Sequence, residues 1–293
     1  MNTEISIAKI LLPVDFSERC VGAARYAASL ACRFHAELTV LHVFSNPYVA
    51  WGDINAYSAG ADYYCQIYEY SKSRLEAFLS DAPPGLRIGR VLLEGDPARK
   101  IVEYAHSGNF DLIVMPTHGY GPFRRFLLGS VTAKVLHDSD CPLWTGPHLE
   151  QAPEWQGFSV RRVACALDLG PASCSVLRWA GALSRDFAAD LLILHALPTA
   201  TISIGGYTFD PEWRLHLEHE AREKIARLQS ELGTRGDVFI EIGDVAAALT
   251  EAAREREADV LVIGRSCGTG VLGRLRADAY SILRAASCPV VSV

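Results

Sequence analysis

Short apolar runs alternate along the chain with segments in which small and apolar residues recur every three or four positions. Residues 10–14, 38–44, 87–93, 111–115 and 142–145 read as strands. Ser17 stands as a candidate N-cap for a helix in which Val21, Ala24, Ala28 and Ala31 follow at helical steps. A second helix is predicted over about 67–79, ending before Pro83-Pro84-Gly85. Asp96 followed by Pro97 reads as an N-cap with proline at the first helical position, and another helix opens near Ser130. Strands separated by helices predict an α/β fold built on a doubly wound parallel sheet.

The pattern then starts again. Asp15, Arg25, Phe34, Leu41 and His42 meet Asp168, Arg178, Phe187, Leu194 and His195 at a constant spacing of 153 residues. Further on, Gly95-Asp96 matches Gly243-Asp244, Asp111 matches Asp259, and Cys141-Pro142 matches Cys288-Pro289. A period this long is a whole domain rather than a solenoid unit. The second copy predicts strands at 163–167, 191–197, 238–242 and 260–263, a long helix over 212–232, and a closing strand at 290–293. The expected organisation is a first domain over 1–147, a linker over 148–159 containing Pro153 and Gly157, and a second domain over 160–293.

Composition narrows the class. Of 293 residues, 49% are hydrophobic and 21% charged, which excludes a disordered or fibrous chain. The formal charge of -6 and the lack of any polybasic run argue against a nucleic-acid partner. The longest apolar runs fall well short of the roughly 20 residues a bilayer requires, and the first residues do not form a secretory signal. A cytoplasmic protein is expected, with its eight cysteines reduced. Cys32, Cys165 and Cys288 lie in apolar runs and read as small buried hydrophobes.

Open parallel sheets bind ligands beyond the carboxyl ends of their strands, where the winding reverses. That points to Asp15, to the turn after His42 and to the loop after Met115. The loop runs from Pro116 through Gly119 to Gly129-Ser130, where a helix opens. Glycines allow close approach of backbone to a ligand, and a helix start offers unpaired amides and a positive dipole end. Gly119, Gly129 and Ser130 are therefore candidate phosphate ligands, with Arg124 or Arg125 near in sequence. Glycine-rich turns before helices are common, so the same residues read equally as a plain strand-to-helix turn.

Gly119, nine intervening residues and then Gly129-Ser130, together with the strand-terminal Asp15 and the Cys-Pro before an apolar closing strand, resemble the universal stress protein family. The resemblance covers both copies and hence nearly the whole chain. It implies an adenine-nucleotide-binding α-hydrolase-like fold with five-stranded, mainly parallel sheets, and an ATP site, with or without Mg2+, in the first copy. Asp15 would lie beside the ribose or adenine, Val43 near the adenine, and Gly119, Gly129 and Ser130 at the phosphates. It further implies a stress-response or regulatory role with at most slow ATP hydrolysis, and pairing of domains through the closing strands 143–145 and 290–293; a pseudo-symmetric chain of this kind is expected to be able to pair again as a homodimer. Pro116 departs from the pattern, standing where the family has its first glycine and removing one amide donor.

The second copy keeps Asp168 but reads Gly264-Arg265-Ser266-Cys267-Gly268-Thr269-Gly270, with Arg276-Ala277 where Gly129-Ser130 stand in the first. Its nucleotide site is read as degenerate, leaving open a nucleotide-independent interaction role for it or for the aromatic segment 48–70. His216, His219 and Glu220 share a helical face but lack a third strong zinc ligand, and an exposed polar face is the simpler reading. No nucleophile with a neighbouring base stands out.

Overall fold

The computed structural model describes residues 5–45, 57–117, 128–146, 159–198, 203–204, 207–208, 211–265 and 277–293. They divide into two compact units, broadly Ser6–Leu143 and Ser159–Val293. No helix among the described residues is long and apolar enough to cross a membrane.

The first unit runs β1 (Lys9–Pro13), α1 (Glu18–Phe34), β2 (Glu37–Phe44), α2 (Tyr57–Ala77), β3 (Ile88–Glu94), α3 (Pro97–Ser107), β4 (Leu112–Val114) and α4 (Ser130–Asp138), and ends in β5 (Leu143–Thr145), whose Trp144 and Thr145 group with the second unit. Its strands lie in the order β3-β2-β1-β4-β5, and the pairs of β1 with β2 and β4 are parallel. Leu11 of β1 is level with Thr39 of β2 and Ile113 of β4. The central strands are apolar on both faces, with Ile10, Leu11, Leu12, Leu38, Leu112 and Ile113 fully buried, because helices cover both sides of the sheet.

The second unit repeats the plan with β6 (Arg162–Ala166), α5 (Ser173–Phe187), β7 (Asp190–Pro198), α6 (Pro211–Leu232), β10 (Asp237–Gly243), α7 (Val245–Glu255), β11 (Val260–Ile263), α8 (Ala277–Ala285) and β12 (Val290–Ser292). Its strands lie in the order β10-β7-β6-β11-β12. A two-stranded antiparallel pair, β8 (Ser203–Ile204) and β9 (Tyr207–Thr208), is inserted after β7 and has no counterpart in the sequence pattern.

The repeat extends to backbone detail. Of the non-glycine residues in the left-handed region, all but Leu79 (φ 59°) occur in matched pairs among the described residues: Phe16 and Leu169 at φ 62° and 58°, His35 and Ala188 at 54° and 53°, Asn109 and Glu257 both at 50°. Gly95 and Gly243 match at φ 137° and 155°, where a side chain would be strained. Asp111 Oδ2 accepts from the Ala8 and Lys9 amides, and Asp259 Oδ2 accepts from those of Arg161 and Arg162. Asp96 caps α3 through the Arg99 amide at 2.8 Å, and Asp244 caps α7 through that of Ala247 at 3.0 Å.

Four local expectations are corrected. Ser17 occupies the N-cap position of α1 but its hydroxyl makes no cap bond; it turns instead to Cys20 Sγ at 3.6 Å. Val21 is 45% exposed, since the buried face of α1 runs through Cys20, Ala23, Ala24, Ala27, Ala28 and Ala31. Cys32, one step beyond Ala31, is exposed, whereas Cys165 and Cys288 are buried. The helix expected to begin near Ile67 begins at Tyr57, and Tyr64 and Tyr68, one turn apart, lie against Phe44 of β2 with centroids at 5.8 and 6.1 Å.

Candidate functional site

The first unit's candidate site is assembled at the carboxyl edge of β1, β2 and β4. Asp15 follows β1 by two residues, Val43 is the penultimate residue of β2, and Gly129-Ser130 open α4. The Val14 amide donates to the Leu41 carbonyl at 2.8 Å, carrying the β1–β2 register to the position just before Asp15. Gly119, Arg124 and Arg125 lie outside the described residues, as do Cys267 and Arg276 of the second unit.

The loop after β4 is fastened to α4 at its base. Thr132, buried, donates its hydroxyl to the Pro116 carbonyl at 3.0 Å, and the Gly129 amide donates to the Thr117 carbonyl at 2.8 Å. The ring of Pro116 therefore does not prevent an anchored loop. Gly129 spends its own N–H on that anchor, and among the described residues the amides of Ser130, Val131 and Thr132 in the first turn of α4 have no partner, which leaves them for an anion. This distinction is invisible in sequence.

Asp15 is set by its own turn. Its Oδ1 accepts from the Ser17 amide and from the Cys20 thiol, each at 2.9 Å. Burial, then the charge and hydrogen bond of Asp15, push the Cys20 thiol up to about 12, so it is a neutral donor and not a nucleophile. Phe16, forced to positive φ, packs against His42 at 4.4 Å. Arg74 of α2 lies over the Phe16 ring at 4.6 Å and donates to its carbonyl at 3.2 Å, holding the strained residue from outside. Sequence reading found neither Cys20 nor Arg74; the signal for Cys20 is its matched Ser173, five residues beyond the aspartate in each copy.

His42 Nδ1 lies 2.7 Å from the Val14 carbonyl oxygen, and His195 Nδ1 lies 2.7 Å from that of Leu167. A carbonyl only accepts, so in both rings the hydrogen is on Nδ1. Burial pushes both imidazoles below their ordinary range, with the carbonyl bond and the adjacent aspartate opposing it in part.

The second unit has a cavity of about 500 Å³ at the corresponding edge, bordered by the ends of β6, β7 and β11 and by α7 and α8. Asp168, His195 and Arg265 lie in its wall. Asp168 Oδ1 accepts from the Gly170 amide at 2.8 Å and the Ser173 hydroxyl at 3.1 Å, mirroring Asp15. His216 and His219 face Glu220 and Glu223 at 3.9 and 3.5 Å along the exposed side of α6, and no cluster of three metal-ligating side chains occurs among the described residues.

Two doubly wound α/β units with the same strand order, the same strained residue after β1 and β6 and the same aspartate turn define a tandem protein made from one duplicated domain. The model of the universal stress protein family matches residues 6–145 and again 159–293, and the chain belongs to that family. Universal stress protein MJ0531 of Methanocaldococcus jannaschii is 31% identical over 143 residues, which are 48% of this chain and 83% of that protein. Universal stress protein YxiE of Bacillus subtilis is 28% identical over 141 residues, 46% of this chain and 95% of that protein. Among solved structures, a universal stress protein from Archaeoglobus fulgidus superposes with a TM-score of 0.65 at 23% identity, covering 97% of each chain. The functionally unknown protein PA1789 from Pseudomonas aeruginosa superposes at 0.66 and 17% identity, over 100% of this chain and 94% of that one. At these identities both structures bear on the fold alone.

Proposed function

We propose that the first unit binds an adenine nucleotide, ATP in the first instance, and that occupancy of this site governs a stress-response or regulatory role. The observation that carries the reading is the set of open amides of Ser130, Val131 and Thr132 at the sheet edge that also carries Asp15. Amides at a helix start donate to phosphate, a strand-terminal carboxylate accepts from ribose hydroxyls, and Val43, half-buried, suits an adenine edge. Gly119 and Gly129 would let the phosphates come close. The described residues offer no cluster for a resident metal, so Mg2+ would arrive with the phosphates. With the nearby thiol held protonated, the site is suited to holding nucleotide more than to turning it over; at most slow hydrolysis is proposed. Every described cysteine is a free thiol, which supports a cytoplasmic setting.

Ser130→Glu tests the assignment. A carboxylate in the first turn of a helix is favourable to the fold yet occupies the place of a phosphate. The variant should melt no lower than the parent and lose ATP binding. Retained affinity in a folded Ser130→Glu protein would overturn the site.

A further inference from the structure

We infer that the second unit holds a site of its own for a compact, mostly apolar ligand that presents an N–H or ammonium donor and carries no phosphate chain. The proposal stands whether or not the first unit binds nucleotide.

The cavity of about 500 Å³ lies in the range of roughly 300–1,000 Å³ typical of small-molecule sites. Its wall is mainly apolar, with Leu167, Val176, Leu197, Leu249 and Ile282 among the lining residues. Set into that wall is His195, only 8% exposed. Its Nδ1–H is committed to the Leu167 carbonyl, so in the neutral ring Nε2 is a bare acceptor, and it has no partner among the described residues. Nε2 opens onto the cavity, where a ligand N–H can engage it in place of solvent.

The charges of the wall select the same chemistry. Asp168 and Asp278 contribute two carboxylates, and among the described lining residues Arg265 is the only cation. Arg265 is 6% exposed, and both it and Asp168 are already engaged within the chain, which leaves Asp278 as the exposed carboxylate of the wall. Asp278 sits in the first turn of α8, where the matched position of α4 is Val131. The negative charge that a helix start favours is thus built into the second unit, at the place where the first has an uncharged valine. A polyphosphate would meet like charge there; an amine would meet the Asp278 carboxylate and a histidine acceptor.

The test uses the full chain and matched probes: phenethylamine against 3-phenylpropionate, and benzamidine against benzoate, titrated by ligand-observed NMR. In each pair the nitrogen compound should bind at least tenfold more tightly than its carboxylate counterpart. Leu249→Trp, which fills the cavity, should abolish binding. Should that variant unfold, Asp278→Lys, a change at an exposed position, serves in its place and should reduce the preference at least tenfold. The proposal is overturned if the carboxylates bind as well as the nitrogen compounds. It is equally overturned if the preference survives Asp278→Lys, or if neither nitrogen probe binds at millimolar concentration.

Discussion

The Cys20 thiol donates to Asp15 Oδ1 at 2.9 Å, and the Ser173 hydroxyl donates to Asp168 Oδ1 at 3.1 Å. Two different side chains thus do the same work at matched places, five residues after each aspartate. The exchange predicts that Cys20→Ser keeps the turn, while Cys20→Ala leaves the carboxylate short of a donor in a part-buried setting. Cys20→Ala should destabilise the first unit by about 1–2 kcal/mol, and Cys20→Ser by less than half as much. Urea midpoints of the two variants check this.

The same burial gives an alkaline limit. The Cys20 and Cys288 thiols are both pushed up to about 12 from 9.0, chiefly by burial. A folded-state value above the unfolded one means that folding retains the protons. Stability from these groups is complete below pH 9 and lost as pH rises toward 12. Denaturant titrations across that range should show the decline, and Cys288→Ala should make it shallower.

His42 and His195 act at the other end of the scale. Burial holds both below their ordinary 6.5, so the unfolded chain takes up protons first as pH falls. Their contribution is present above pH 6.5 and lost below it. His195→Gln, which can still donate to Leu167, should flatten the stability profile between pH 5 and 6.5. An unchanged slope would contradict the account of the neutral ring.

Thr132 ties α4 to the loop after β4 through the Pro116 carbonyl. Thr132→Val keeps the volume and removes the bond, with an expected loss of about 1–2 kcal/mol and weaker ATP binding. Thr132→Ser should restore both. Thermal melts and calorimetry read the two effects separately.

The strands were legible in the sequence because buried parallel strands are nearly all apolar, as Leu38–Leu41 and Val260–Ile263 are. Asp96-Pro97 was legible because cap and first-turn proline are local chemistry. What stayed hidden depends on partners far along the chain. Val21 and Cys32 fit the periodicity of α1, yet the helix turns its alanine face inward and leaves both outside. The start of α2 was missed because Tyr64 and Tyr68 gain their meaning only against Phe44. At the candidate site, the strand-terminal aspartates and the helix start could be read from residue type. The commitment of the Gly129 amide to Thr117, the positive φ of Phe16 and the grip of Arg74 on it could not. Each is a backbone geometry imposed by contacts that no local pattern encodes.

The measurement that bears most directly on the account is calorimetric titration of the full chain with ATP at physiological magnesium, run beside Ser130→Glu. One ATP bound per chain, and none to the folded variant, is the predicted result. Two per chain, none to the parent protein, or binding unchanged in Ser130→Glu would contradict a single nucleotide site at the start of α4.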